Sequence, residues 1–250
     1  MRQRLARVAV GMAIAAMPLG VAAQRGYLDR LRPDQYANVP YDGRFTVARI
    51  RYSGYGGWRF DYPEMEQNLT QILRGITSMQ PHTDGSNILS LDDPELMKFP
   101  VAYISEPGYW YPTESEVQGL RTYLAKGAFL IVDDFHFPEE WAVFDIAIHR
   151  VLPGARIERL DVKHPVFNTF FAIESLKVPY PGRLGELGLY GEFYGIFADN
   201  DPAKRLMVVI DYNMDIGDYM EWSATGAYAI APTNEAYKIG INYIIYGLTR

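Results

Sequence analysis

Residues 101–136 read VAYISEPGYW (101–110), YPTESEVQGLRTYLAKG (111–127) and AFLIVDDFH (128–136). The outer two segments are apolar on both alternating faces, as strands of a parallel sheet covered by helices should be. Between them Thr113 and Glu116 have the spacing of a capping box, and Gly127 after Lys126 is a helix stop. The stretch therefore predicts strand, helix, strand. Both strands run into polar residues, Glu106 on the first and Asp133, Asp134 and His136 on the second. Ligands of open parallel sheets bind outside the carboxyl ends of the strands, so these residues mark where a site belongs.

The pattern continues in both directions. Phe45–Tyr52 predicts a first strand, and Ser53-Gly54-Tyr55-Gly56-Gly57-Trp58 the loop after it. Asp61, with Glu64 three residues on, starts a predicted helix that runs to about Met79. Ile88–Leu91 is a short strand, and Asp93-Pro94-Glu95 opens a helical turn. Beyond His136, Glu139–Leu152 carries Trp141, Phe144, Ile148 and Val151 at helical spacing, and Arg156–Leu160 is a further strand. Residues 161–188 form a long excursion rich in Pro, Gly and aromatics, a length that is unusual unless it covers something. Tyr190–Ala198 and Leu206–Ile210 are strands, and Asn234–Leu248 is a closing helix. Alternating strands and helices predict an α/β fold with a doubly wound, mostly parallel sheet, placed in a single domain over residues 45–250.

The N-terminus reads as an export segment. Arg2, Arg4 and Arg7 precede the short apolar run Val8–Val21, and Val21-Ala22-Ala23 fits a small-residue cleavage site. The run is broken by Pro18 and falls short of the roughly 20 residues a membrane span needs, so a cleaved signal peptide over residues 1–23 is expected rather than an anchor. Residues 24–44 are an extended lead-in. Cleavage removes three Arg and no acid, which moves the net charge from −6 to −9 and leaves 227 of the 250 residues. A periplasmic or secreted protein this acidic is not expected to hold nucleic acid. Its contact with membrane is expected only through the export signal. Cysteine is absent. That excludes thiolate catalysis, Cys-ligated zinc and iron–sulfur chemistry.

Several motifs suggest chemistry. Gly54-Tyr55-Gly56-Gly57 sits where a dinucleotide fingerprint would, but Arg59 replaces the third glycine and a tight turn is favoured. Asp133, Asp134 and His136 suit a hard or borderline cation or a general base. Strand alternation opposes this reading, because both aspartates aim into one site only if the strand has already ended. The structural alternative, favoured here, has one Asp capping the next helix or pairing with Arg and the other solvated. Asp211, Asn213 and Asp215 resemble the start of an EF-hand loop, but Ile216 and Trp222 stand where Gly and Glu are needed. Asp199, Asn200 and Asp201 are a lesser calcium candidate. Tyr55, Trp58, Tyr109, Trp110, Tyr111, Tyr219 and Trp222 lie where strand ends should meet, and exposed aromatics there suit a sugar, peptide or partner surface. Glu221 and Asn213 complete the candidate set.

LDDPELMKFPVAYISEPGYW (91–110), GAFLIVDDFH (127–136), HPVFNTFF (164–171), GIFADNDPAKRLMVV (195–209) and NEAYKIGINYIIYGLT (234–249) together resemble the bacterial family of domains of unknown function DUF4159. The resemblance extends from about Phe45 to the C-terminus. It implies a flavodoxin-like three-layer sandwich similar to class I glutamine amidotransferases. The turn matching the amidotransferase nucleophile is Ser105-Glu106-Pro107-Gly108, which has no thiol. The expectation is a non-catalytic exported domain, without cofactor or metal, binding a small ligand or envelope protein at its strand ends. Two alternatives stay open. One is a metal-assisted hydrolase using Glu106, Asp133, Asp134 and His136; the other is a carbohydrate-binding module using Trp58, Tyr109 and Trp110.

Overall fold

The capping box expected at Thr113 is present: its Oγ1 accepts from the Glu116 amide, and the Glu116 carboxylate accepts from the Thr113 amide. It opens α2, Glu114–Ala125, which joins β3, Val101–Ser105, to β4, Phe129–Phe135. The computed structural model describes residues 38–250 apart from residue 55. The export segment, the lead-in up to residue 37 and Tyr55 lie outside the described residues. The remaining strands are β1, Ala48–Ile50; β2, Asn87–Leu89; β5, Ile157–Arg159; β6, Glu192–Phe197; and β7, Leu206–Tyr212. The remaining helices are α1, Glu64–Ile76; α3, Phe137–Val151; the short α4, Arg183–Glu186; α5, Ile216–Glu221; and α6, Ile230–Thr249.

Among the described residues, the strands form one seven-stranded sheet in the order β2-β1-β3-β4-β7-β6-β5. Only β6 is reversed, pairing antiparallel with both β5 and β7. Alternation along the strands divides the core in two. Val101, Tyr103, Phe129 and Ile131 face a layer made by α1, α5, α6 and part of the 161–188 excursion. Ala102, Ile104, Leu130 and Val132 face α2 and α3. The fold is thus an α/β structure with helices on both faces of a mostly parallel sheet. Because α1 leaves β1 on one face and α2 leaves β3 on the other, the chain diverges at the carboxyl ends of these neighbours. In open α/β sheets such a divergence is where the ligand crevice lies. Among the described residues, no helix is long and apolar enough to cross a membrane.

Two expectations about local structure change. Asp61 does not cap a helix: α1 starts three residues later, behind Pro63, and Asp61 itself has φ 63 with a buried side chain. Among the described residues, neither Asp133 nor Asp134 caps α3 or pairs with Arg, and neither is solvated; His136 holds the cap position and both aspartates are buried. The excursion does cover something. Tyr180 lays its ring 5.3 Å from that of His136, over the end of β4, and Asn242 of α6 pins Phe170 and Phe171 by their amides.

Candidate functional site

Carboxyl groups from four segments meet at these strand ends, the acidic crevice position of the fold. Asp61 comes from the loop after β1, Glu106 follows β3, Asp133 and Asp134 end β4, and Asp215, Asp218 and Glu221 lie on the loop and helix after β7. The Asp61 loop is held by Arg49 of β1. Its buried guanidinium bonds Glu66 of α1 at 2.6 Å and the carbonyls of Trp58 and Phe60 at 3.3 and 3.0 Å. Across the crevice, Tyr52 donates to the carbonyl oxygens of Ser105 and Glu106 at 2.9 and 2.7 Å. Gly57 lets this loop approach, since a Cβ there would lie 2.6 Å from that of Glu106.

A bulge decides where Asp134 points. Alternation would send it to the face of Leu130 and Val132. Instead the register shifts between Val132 and Phe135, Asp134 takes φ 63, and its Oδ2 accepts from Ser105 Oγ at 3.0 Å. Asp133 keeps its expected face and is fully bonded there. Tyr103 Oη donates to it at 2.6 Å, and the amides of Ile216 and Gly217 at 3.2 and 3.0 Å. A bulge re-aims a side chain in this way without ending the strand, which removes the objection that alternation raised.

Asp61, Asp134 and Asp215 each place a carboxylate oxygen within 4.8 Å of the others, and all three are buried. Asp61 belongs equally to a second group with Asp218 and Glu221, both half-buried. Asp134 lies within hydrogen-bonding reach of Asp215, and Glu221 within reach of Asp61. Carboxylates this close need a proton or a cation between them. Burial, and then the charge of Asp134, raise Asp61 and Asp215 well above the usual carboxylate range. Burial pushes Asp134 up to about 7, with Asp133 adding to it, and burial takes Asp133 to about 6 against the hydrogen bonds from Tyr103 and the backbone amides. Glu106 rises to about 9, through burial first and the neighbouring Asp134 second. Burial and mutual repulsion thus favour the protonated form of these carboxyls, and the cluster as a whole is set to accept positive charge.

The candidates from sequence fall into distinct places. Glu106, Asp133, Asp134 and Glu221 share this crevice. His136 stands at its edge, its amide bonded to Glu140 at 2.7 Å. Asn213 is a tie, accepting from the Phe137 amide at 3.2 Å and donating to Glu192 at 3.3 Å. Trp58 and Trp110 are 3% and 0% exposed and lie in the core, so neither offers a ring face to a ligand. Tyr109 and Trp222, at 37% and 39%, are exposed. Asp211 is buried against Tyr243 at 2.8 Å, away from any EF-hand geometry, and Asp199 pairs with Lys204 at 2.8 Å. Sequence reading missed Asp61, Asp215 and Asp218 as partners of Asp134. The available signals were the Pro at 63, which displaces a helix start from Asp61, and the density of acids after β7.

No curated protein matches the chain. Residues 46–248 match the sequence model of a domain of unknown function, DUF4159, which covers the sheet, both helical layers and every carboxylate of the crevice. The chain belongs to the DUF4159 family.

Proposed function

We propose that this is a binding domain that takes a positively charged ligand in the acidic crevice at the carboxyl ends of β1, β3, β4 and β7. The convergence of Asp61, Asp134 and Asp215, with Asp218 and Glu221 leading to the surface, carries this reading. Buried carboxylates without a matching cation are costly, and a cationic ligand offsets that cost. Arg49 offsets the charge of Asp61 only in part, because its guanidinium bonds Glu66 and two carbonyls. The parallel strand order β2-β1-β3-β4-β7 supports a flavodoxin-like sheet, whose switch point is where such folds hold ligands. Export through residues 1–23 is part of the same proposal, and N-terminal mass spectrometry of protein from its host tests it.

A metal-assisted hydrolase is the second reading. Glu106 favours it, since burial and the neighbouring Asp134 push this strand-end carboxyl up, toward the form that can donate a proton. A sugar-binding role has less support, because two of its three aromatic rings are buried. Binding measured by calorimetry against diamines, basic peptides, neutral sugars and anions separates these readings. Hits confined to cations, and lost in Glu221→Gln, are expected. Binding of neutral sugars that ignores Glu221→Gln would contradict the proposal, and turnover of a hydrolysable substrate would move the assignment to the hydrolase.

A further inference from the structure

We propose that Asp61, Asp134 and Asp215 hold a hard divalent cation of the Mg²⁺ or Ca²⁺ class. The proposal deepens, and rests on, the reading of the crevice as a site for positive charge.

Two independent observations carry it. The first is the convergence itself: three buried carboxylates, from the β1 loop, the β4 bulge and the β7 loop, offer oxygens within 4.8 Å of one another. That spread is the span of ligand oxygens around one ion bound at about 2.0–2.6 Å. The second is an orphan. Asp61 is only 4% exposed, and its Oδ2 accepts from no N–H or hydroxyl donor among the described residues, the carboxyl of Glu221 being the group within reach of this side chain. Its two companions are placed differently. Asp134 uses Oδ2 to accept from Ser105, and Asp215 uses Oδ1 to accept from the Asp218 amide at 2.7 Å. Each is thereby oriented by one bond, as ligating carboxylates commonly are, and the two carboxyl groups lie within hydrogen-bonding reach of each other, where a cation would replace the shared proton. Among the described residues, none of the three forms an ion pair with Lys or Arg.

Ligand type selects the ion. The group contains oxygens only, without His or Cys, and such a set suits Mg²⁺, Ca²⁺ or Mn²⁺ over Zn²⁺. The second group explains access. Asp218 and Glu221 are half-buried and share Asp61 with the inner set, so they form a carboxylate path from the surface to the buried position. Tyr228 donates to Asp218 and steadies that path.

The test uses the full protein stripped with chelator. Its melting midpoint is measured with Mg²⁺, Ca²⁺, Mn²⁺ and Zn²⁺ in turn, and Tb³⁺ emission sensitised by tyrosine is titrated in parallel. A hundredfold excess over the dissociation constant should raise the midpoint by about 5–10 °C for at least one of the three hard cations. Asp61→Asn and Asp215→Asn should abolish the rise, whereas the exposed Asp84→Asn should keep it. Both Asn replacements keep the side-chain shape, and the Tb³⁺ signal on unaltered protein, displaced by Ca²⁺ or Mn²⁺, does not depend on any variant folding. No shift with any hard cation, or a shift that survives in both Asn variants, overturns the proposal. If cations fail while a basic organic ligand binds and depends on Glu221, the metal site falls alone. If neither binds, the crevice reading falls with it.

Discussion

The carboxylate of Asp61 occupies the space that a side chain on Gly217 would need: a Cβ there would stand 2.6 Å from Asp61 Oδ2 and 2.7 Å from Tyr103 Oη. The first turn of α5 and the loop after β1 are therefore fitted to each other at the acidic cluster. Gly217→Ala should cost about 1–3 kcal/mol, the usual penalty of overpacking a tight interior. It should also weaken cation binding, since Asp61 must move. Urea unfolding and the cation-dependent melting shift check both, and an alanine variant neutral in both would contradict the fit.

Asp133 has a structural task distinct from that of Asp134. It satisfies Tyr103 Oη and the amides of Ile216 and Gly217, all in the interior. Asp133→Ala strands those donors, and each buried unsatisfied group costs roughly 1–3 kcal/mol, so a loss of about 3 kcal/mol or more is expected. Tyr103→Phe removes one donor and leaves Asp133 its two amides, so about 1 kcal/mol is expected. A double-mutant cycle by urea denaturation should show coupling between the two positions.

Arg49 and Glu66 form a buried pair that fixes the Asp61 loop. Removing one partner of such a pair costs about 3–5 kcal/mol, whereas replacing both by apolar residues can be nearly neutral. Arg49→Met alone should therefore destabilise strongly, and Arg49→Met with Glu66→Met should recover much of the loss. The double variant should still bind cations less well, because the carbonyls of Trp58 and Phe60 lose their anchor. Equal stability of the single and double variants would show that Glu66 is not stranded by the single change.

Much of this was legible from residues 101–136, where apolar runs, a capping box and a terminal glycine dictate strand, helix and strand. The position of the site followed from the polar strand ends. The composition of the site did not. Asp61 has the spacing of a helix cap, and only Pro63 and the three-dimensional path of the loop turn it inward. Period-2 reasoning separated Asp133 from Asp134, and a bulge, which leaves no mark in a hydrophobic pattern, reunites Asp134 with Ser105. Trp58 and Trp110 follow strands as ligand-stacking rings would, but packing claimed both, since a large apolar ring gains most by full burial.

The pH dependence of stability has a definite sign. Asp133, Asp134 and Glu106 sit at about 6, 7 and 9 in the folded protein, all above their ordinary values, chiefly through burial. The folded state thus binds more protons than the unfolded chain from about pH 4 up to each folded value. Their contribution is fully present below that window and is lost as pH rises through it. In chelator, the urea midpoint should be higher near pH 5 than near pH 8.5, and cation binding should strengthen over the same rise. A midpoint that is flat or climbs with pH would contradict this.

Anomalous diffraction at the manganese edge, from crystals grown with Mn²⁺, tests the acidic crevice as a cation site most directly. A single strong peak about 2.0–2.6 Å from carboxylate oxygens of Asp61, Asp134 and Asp215 is the predicted result. Crystals whose only manganese peaks lie elsewhere, with those three carboxylates sharing protons instead, would contradict it.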